Sequence, residues 1–298
     1  MNLLNDSENV IVFIVDENGE TLEKFLSKKE ISGRLFRRLY RSKNIFINGE
    51  SKRKNTLVGP GDIVSLKIED EIENTLPEPI PLDIIFEDMD LLVLNKQPYM
   101  VVHQTKSHQN HTISNGISHY FKTKGINRKI RFVNRLDMDT SGILLVAKSS
   151  FAHQQMALQF ENNEVVKKYM VVVAGIVKKD QDTIDLPIGR EEERSIRKLV
   201  TQNGKKAITK YKVIERYRNS SLLDVQILTG RSHQIRVHLN YLGHPIIGDT
   251  LYYKPSEYID RQALHSYYLK VKLPRSKKDI ELKAPMPKDI QNLINHLK

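Results

Sequence analysis

Between residues 20 and 67 the apolar positions change period. In TLEKFLSKK, Leu22, Phe25 and Leu26 recur at i, i+3 and i+4, which is one face of a helix. Ser32 is placed to cap a second helix, whose apolar face is Leu35, Phe36, Leu39 and Tyr40. The pattern then becomes strand-like. IFING closes on Asn48-Gly49, the preferred pair for a tight hairpin turn, and IVSLKI follows the turn VGPGD as a further strand. Next comes EDEIENTLPEPIP (69–81), acidic and with three prolines in its last five residues, which reads as an extended linker. The chain therefore divides into a small module (1–70), a linker (71–81) and a larger body (82–298).

In the body, LDIIFEDMDLLVLNKQPYMVVHQ gives two apolar strand runs parted by an acidic turn at 87–90. GILLVAKS (142–149), YMVVVAGIV (169–177) and SLLDVQIL (221–228) are further strand candidates. FAHQQMALQFENNEV (151–165) predicts an amphipathic helix burying Ala152, Met156, Leu158 and Phe160. SHQIRVHLNYLG (232–243) predicts another, closed by Gly243. Strands and helices do not alternate strictly, so the body is expected to be α+β around a mixed sheet.

Charge sharpens this division. The net charge is +11, and residues 20–67 hold 12 Lys/Arg against 5 Asp/Glu, contributing +7 of it. A basic patch of this kind favours a polyanion, and nucleic acid is the commonest. Arg34, Arg37, Arg38 and Arg41, with Lys43 just beyond, lie between and opposite the apolar positions of the second helix. They are expected to line an RNA groove through phosphate contacts, which position RNA but carry little sequence information. The absence of cysteine removes disulfides, thiolate nucleophiles and cysteine-ligated zinc. No apolar run approaches the roughly 18–20 residues of a membrane helix. The first residues are acidic where a signal peptide would be basic, and the run Val10 to Val15 is too short for one. A soluble, cytoplasmic monomer is the default expectation.

Cofactor signatures fail. Neither G-x-x-x-x-G-K-[ST] nor a strand followed by G-x-G-x-x-G occurs. His103, His108, His111 and His119 cluster, but without zinc-ligand spacing they read as a polar loop ahead of a helix. Asp137 and Asp139, in RFVNRLDMDTSGILLVAKS, could be the D-x-D of a haloacid-dehalogenase-type phosphatase. Ser141 stands where that motif needs Thr or Val, and FVNRL is not the apolar strand that presents its nucleophile.

NRLDMDTSGILLVAK instead resembles the H-R-L-D-x-x-T-S-G signature of RluA-type RNA pseudouridine synthases. VKKYMVVVAG (166–175), LTGRSHQIRVHLNYLGHPIIGDTLY (228–252) and RQALHSYYLKVKLP with KAPMP resemble further motifs of that family, in order. The first seventy residues resemble an S4-type RNA-binding domain. Together the resemblances cover nearly the whole chain. They imply the pseudouridine synthase fold, a mixed and largely antiparallel sheet with flanking helices. They also imply isomerisation of uridine in structured RNA without cofactor or metal, with 23S-type ribosomal RNA as the first choice of substrate.

By motif position Asp137 is the nucleophile, and Asp139 falls at a variable position. The resemblance makes Arg231 the guanidinium that stabilises the ionised carboxylate, Tyr169 the ring that stacks on the target base, and Arg135 the residue that fills the gap left by the flipped base. It reads His233, Gln234, Arg236 and His238 as holding the fold rather than touching substrate. Asn134 replaces the motif histidine, and Gln97 the proline after Asn-Lys. Two alternatives stay open: a non-catalytic RNA-binding or ribosome-assembly factor on the same scaffold, and a synthase directed at tRNA.

Overall fold

The computed structural model describes residues 3–16, 19–105, 108–190, 192 and 195–298. The N-terminal module contains β1 (Val10–Ile14), β2 (Glu20–Thr21), α1 (Leu22–Lys28) and α2 (Gly33–Arg41). It continues through β3 (Ile45–Ile47), β4 (Glu50–Ser51), β5 (Leu57–Val58) and β6 (Ile63–Lys67). Local chemistry sets these elements. The Ser32 hydroxyl accepts from Leu35 N at 3.2 Å and caps α2. Asn48 and Gly49 both take positive φ, as the tight β3–β4 turn demands. Four strands pair in the order β1-β6-β3-β4, and both helices pack Leu22, Phe25, Leu26, Leu35, Phe36 and Leu39 into one core.

The body begins with β7 (Ile84–Glu87), β8 (Leu91–Lys96), α3 (Ile113–Thr123), β9 (Arg131–Phe132) and β10 (Ser141–Ala147). Next come α4 (Ser150–Glu161), β11 (Val166–Ala174), β12 (Gln181–Asp185), β13 (Ile188–Arg190) and β14 (Lys198–Val200). It closes with β15 (Ile208–Arg216), β16 (Ser220–Ile227), α5 (Gln234–Tyr241), β17 (Leu264–Lys272), β18 (Asp279–Lys283) and α6 (Lys288–Leu297). Ten strands form one sheet along the path β12-β15-β16-β11-β17-β10-β8-β7, with β18 on β17 and β9 on β10. The architecture is α+β, a mixed sheet with flanking helices. Among the described residues every ladder of this sheet is antiparallel except β10–β17, which runs parallel through Ser141↔His265 and Gly142↔Ser266.

That short parallel contact positions the centre of the molecule. Gly142 sits at φ +112, and a Cβ there would lie 2.1 Å from the Ser266 carbonyl oxygen. Only glycine lets the two backbones approach this closely. Ser266 in turn pairs with Tyr169 across β11–β17, so Gly142, Ser266 and Tyr169 form one row across three strands.

Two expectations about α4 need correction. The helix ends at Glu161 rather than continuing to 165, because Asn163 takes a left-handed conformation (φ 57) just beyond its C-cap, Asn162. Leu158 and Phe160 are only half-buried, whereas Gln155 and Gln159 are buried. Both glutamines are satisfied: Gln155 donates to Glu30 O at 3.0 Å, and Gln159 donates to Lys272 O at 2.9 Å while accepting from Lys272 N at 2.8 Å. The helix is a bracket between β17 and the N-terminal module as well as a core element.

Residues 69–81 are extended but laid along the body. Leu76 O and Thr75 O accept from the Asn115 amide and the Ser118 hydroxyl of α3 at 2.8 and 2.7 Å, and Glu71 meets Arg131 through both carboxylate oxygens.

Candidate active site

A cleft of about 490 Å³ opens where the loop before β10 meets β11 and the start of α5. Its lining includes Asp137, Arg135, Tyr169 and Arg231, which the chain brings together from positions 96 residues apart.

The loop carrying Asp137 is held from beneath. Leu136 points into the core, and Thr140 N donates to Asp137 O at 3.1 Å. Two buried cations seize the next two carbonyls. Lys96 Nζ donates to Met138 O at 2.8 Å and to Gln97 O and Met100 O at 2.9 Å. Arg261 donates to Asp139 O at 3.0 Å while pairing with Asp289 at 2.6 Å. Burial draws the Lys96 ammonium down to a pKa of about 7, against which the charges of Asp139 and Asp137 act. Asp139 thus serves through its backbone, and its side chain does not line the cleft.

The guanidinium at Asp137 is that of Arg236, not Arg231. Arg236 Nη1 donates to Asp137 Oδ2 at 3.1 Å, and Nε and Nη2 donate to the two oxygens of Asp249 at 2.7 and 2.8 Å. Asp249 is fully buried and also accepts from Leu251 N and Tyr252 N at 3.1 and 3.2 Å. A buried carboxylate thereby fixes the arginine with a bidentate fork and leaves its other edge for Asp137. Arg231 instead is exposed at the rim and donates through Nε to Lys206 O at 2.9 Å.

The exchange follows from how α5 begins. His233 adopts left-handed geometry (φ 57, ψ 19) as its N-cap, and Gln234 ties the turn by accepting from Arg231 N at 3.0 Å and Thr229 Oγ1 at 2.8 Å. The helix then turns Arg236 inward and leaves Arg231 on the turn before it. Both arginines lie in LTGRSHQIRV; the resemblance points to Arg231, whereas Arg236 is the one that reaches the carboxylate. His238 is buried between Thr209 and Leu186, and holds the fold as expected from the sequence. His233 lines the cleft, with Nε2 3.9 Å from Asp137 Oδ2.

Tyr169 is buried, and burial pushes its phenol up to about 12, with the Asp137 charge acting in the same direction and the Ser266 hydrogen bond against it. It is a neutral phenol at physiological pH. Asn134 spans β10 by donating to Ile143 O at 3.0 Å and accepting from Leu145 N at 2.8 Å. At this position the side-chain amide makes the pair of hydrogen bonds that a strand's backbone would. Gln97 lends its carbonyl to Lys96. His103 reaches the cleft beside Phe132, whereas His111 pairs with Glu78 elsewhere.

Arg34, Arg37, Arg38 and Arg41 line a second, larger groove of about 910 Å³ between α2 and α4, together with Arg131 and His153 of the body. Arg38 donates to Ser150 and lies 3.8 Å from Glu71. Lys43 lies outside this groove's lining.

A carboxylate, a buried arginine and a tyrosine share one cleft of a mixed sheet, and the fold that carries them has known counterparts. The human RNA Pseudouridylate Synthase Domain Containing 1 superposes with a TM-score of 0.59 at 26% identity, covering 74% of this chain and 96% of that one. The fold is that of the pseudouridine synthases. Residues 90–241 match the family model described as RNA pseudouridylate synthase. The Bacillus subtilis protein named uncharacterized RNA pseudouridine synthase YlyB is 39% identical over 291 residues, 95% of this chain and 96% of that protein. Ribosomal large subunit pseudouridine synthase D of Escherichia coli is 33% identical over 267 residues, 84% and 81% of the two chains. The chain belongs to the RNA pseudouridylate synthase family.

Proposed function

We propose that this protein converts specific uridines of large-subunit ribosomal RNA to pseudouridine, with Asp137 as the nucleophile. The supporting observation is the Asp137–Arg236–Asp249 arrangement: the carboxylate is open to the cleft, yet its charge is held in place by an arginine that is itself anchored. In this reading Asp137 attacks C1′ as the C1′–N1 bond breaks, or assists glycal formation, and keeps the sugar while the uracil turns. C5 then bonds to C1′ as the Asp137–C1′ bond breaks and restores the carboxylate (on the glycal route, as the proton taken from C2′ is returned). The C5 proton passes to solvent and N1 takes up a proton, so atoms and charge balance without a redox step. Glycosidases apply carboxylates at the same carbon.

Tyr169 supplies the stacking face. A base–aromatic contact contributes roughly 1–3 kcal/mol, comparable to the cost of drawing a base from its stack. Arg135, exposed on the loop two residues before Asp137, is read as filling the vacated position in the RNA. Arg231 at the rim is read as a substrate contact rather than the partner of the carboxylate. The N-terminal module is read as an S4-type RNA-binding domain, with Arg34, Arg37, Arg38 and Arg41 contacting phosphates and Lys43 at their margin. The choice of ribosomal RNA is supported by that module and by the name of the Escherichia coli relative.

The test is pseudouridine mapping of total RNA from cells with and without the gene, using carbodiimide adduct stops. Stops lost at defined uridines of large-subunit rRNA support the reading, and loss confined to tRNA would replace the substrate.

A further inference from the structure

Lys167 lies on β11 two residues before Tyr169, and both side chains line the cleft. Lys168, between them, faces the other way and pairs with Asp224 at 3.1 Å. Among the described residues Lys167 pairs with no such carboxylate; its ammonium lies 5.2 Å from the centre of the Phe160 ring. Burial draws its pKa down. A half-buried cation without a counter-ion is unfavourable in the empty protein, and an anion entering the cleft reverses that cost.

The charge balance of the cleft points the same way. Asp137 and Asp249 share Arg236, while among the described residues Lys167, Arg135 and Arg231 meet no carboxylate there. The uracil of a bound nucleotide is neutral, and its only full negative charges are on the flanking phosphodiesters. A base stacked on Tyr169 puts one of those phosphates within reach of a residue two positions along the same strand, about 6.8 Å away.

We propose that Lys167 forms a phosphodiester-binding subsite for the nucleotide whose base enters the cleft. The proposal rests on the reading of this cleft as the uridine site. Lys167 is then a binding residue that fixes the sugar–phosphate of the target over Asp137 and takes no part in bond breaking.

The test uses full-length protein carrying Asp137→Asn, so that RNA is bound without turnover. The probe is an unmodified transcript of large-subunit ribosomal RNA labelled with 5-tritiated uridine. Adding Lys167→Gln should weaken binding about tenfold and reduce the salt dependence by about one phosphate contact. Lys167→Arg should restore both, and Lys168→Gln should change neither. Unchanged affinity and salt slope in Lys167→Gln, or equal losses in Lys168→Gln, would overturn the subsite. Tritium release by the unaltered enzyme on the same transcript and on tRNA transcripts is measured alongside. No release from either overturns the uridine reading and the subsite with it, whereas release with unchanged Lys167→Gln binding overturns the subsite alone.

Discussion

At the scale of single residues, the centre of this protein is an ion pair held by a second ion pair. Arg236 touches Asp137 with one edge because Asp249, fully buried, grips the other. Removing the guanidinium leaves Asp249 buried and unpaired, so Arg236→Leu should destabilise the fold by about 3–5 kcal/mol. Arg236→Lys keeps the charge but cannot make the bidentate fork. It should remain folded, measured by chemical denaturation, while turnover falls by about a hundredfold or more, the scale of losing one preorganised electrostatic contact. Near-normal turnover in Arg236→Lys would show that the fork does not position the carboxylate.

His265 makes a different prediction. It is fully buried between Ser141 and Ala284, and burial lowers its pKa from 6.5 to about 4. The folded state therefore favours the neutral ring, and between pH 6.5 and 4 the unfolded chain binds the extra proton. Stability from this residue is fully present above about 6.5 and declines as pH falls toward 4, by up to roughly 3 kcal/mol at about 1.4 kcal/mol per unit. Urea midpoints at pH 4.5 and 7 should differ less in His265→Gln than in the parent. An equal difference in both would remove His265 as a source of acid sensitivity.

At the scale of elements, the parallel contact between β10 and β17 decides where the site forms. Gly142→Ala would put a methyl group against the Ser266 carbonyl, so the two strands must separate and displace the row that carries Tyr169. Loss of soluble folded protein, or a fall of several kcal/mol in stability as expected of overpacking with backbone strain, is the predicted outcome. A normal unfolding midpoint would contradict it. Local features such as the Ser32 cap, the Asn48-Gly49 turn and the Val-rich strands are legible in sequence because neighbours within a few residues determine them. The buried face of α4 was harder, since Gln155 and Gln159 find their partners at Glu30 and Lys272, far along the chain. The same limit hid Lys96 and Arg261, whose work is to hold carbonyls of a distant loop. It also led to Arg231 rather than Arg236: the difference is the direction in which α5 leaves a left-handed residue, and residue order alone does not encode it.

At the scale of the molecule, the N-terminal module is fastened to the body by side chains from both. Phe151 of α4, 1% exposed, packs in the core of the module. Arg275 reaches Asp6 and Val10 O of the module at 2.9 and 2.7 Å while pairing with Asp90 of the body at 2.9 Å. Arg128 donates to Glu69 O and Asp70 at 2.9 and 2.8 Å. These contacts set the α2 arginines facing Arg131 and His153 across one groove. Phe151→Ala should cost about 3–5 kcal/mol and loosen this fastening. Limited proteolysis should then cut within 69–81 at least tenfold faster, and an unchanged rate would show that the module docks without it.

In the proposed reaction Asp137 does the chemistry on a uridine held in the cleft. Its most direct test is tritium release from RNA labelled with 5-tritiated uridine, comparing the parent with Asp137→Asn while measuring RNA affinity in both. With Asp137 as the nucleophile, the parent releases tritium stoichiometrically at its target uridines, the variant releases none, and the two affinities lie within a few-fold of each other. Release by Asp137→Asn at the parent's rate would contradict it.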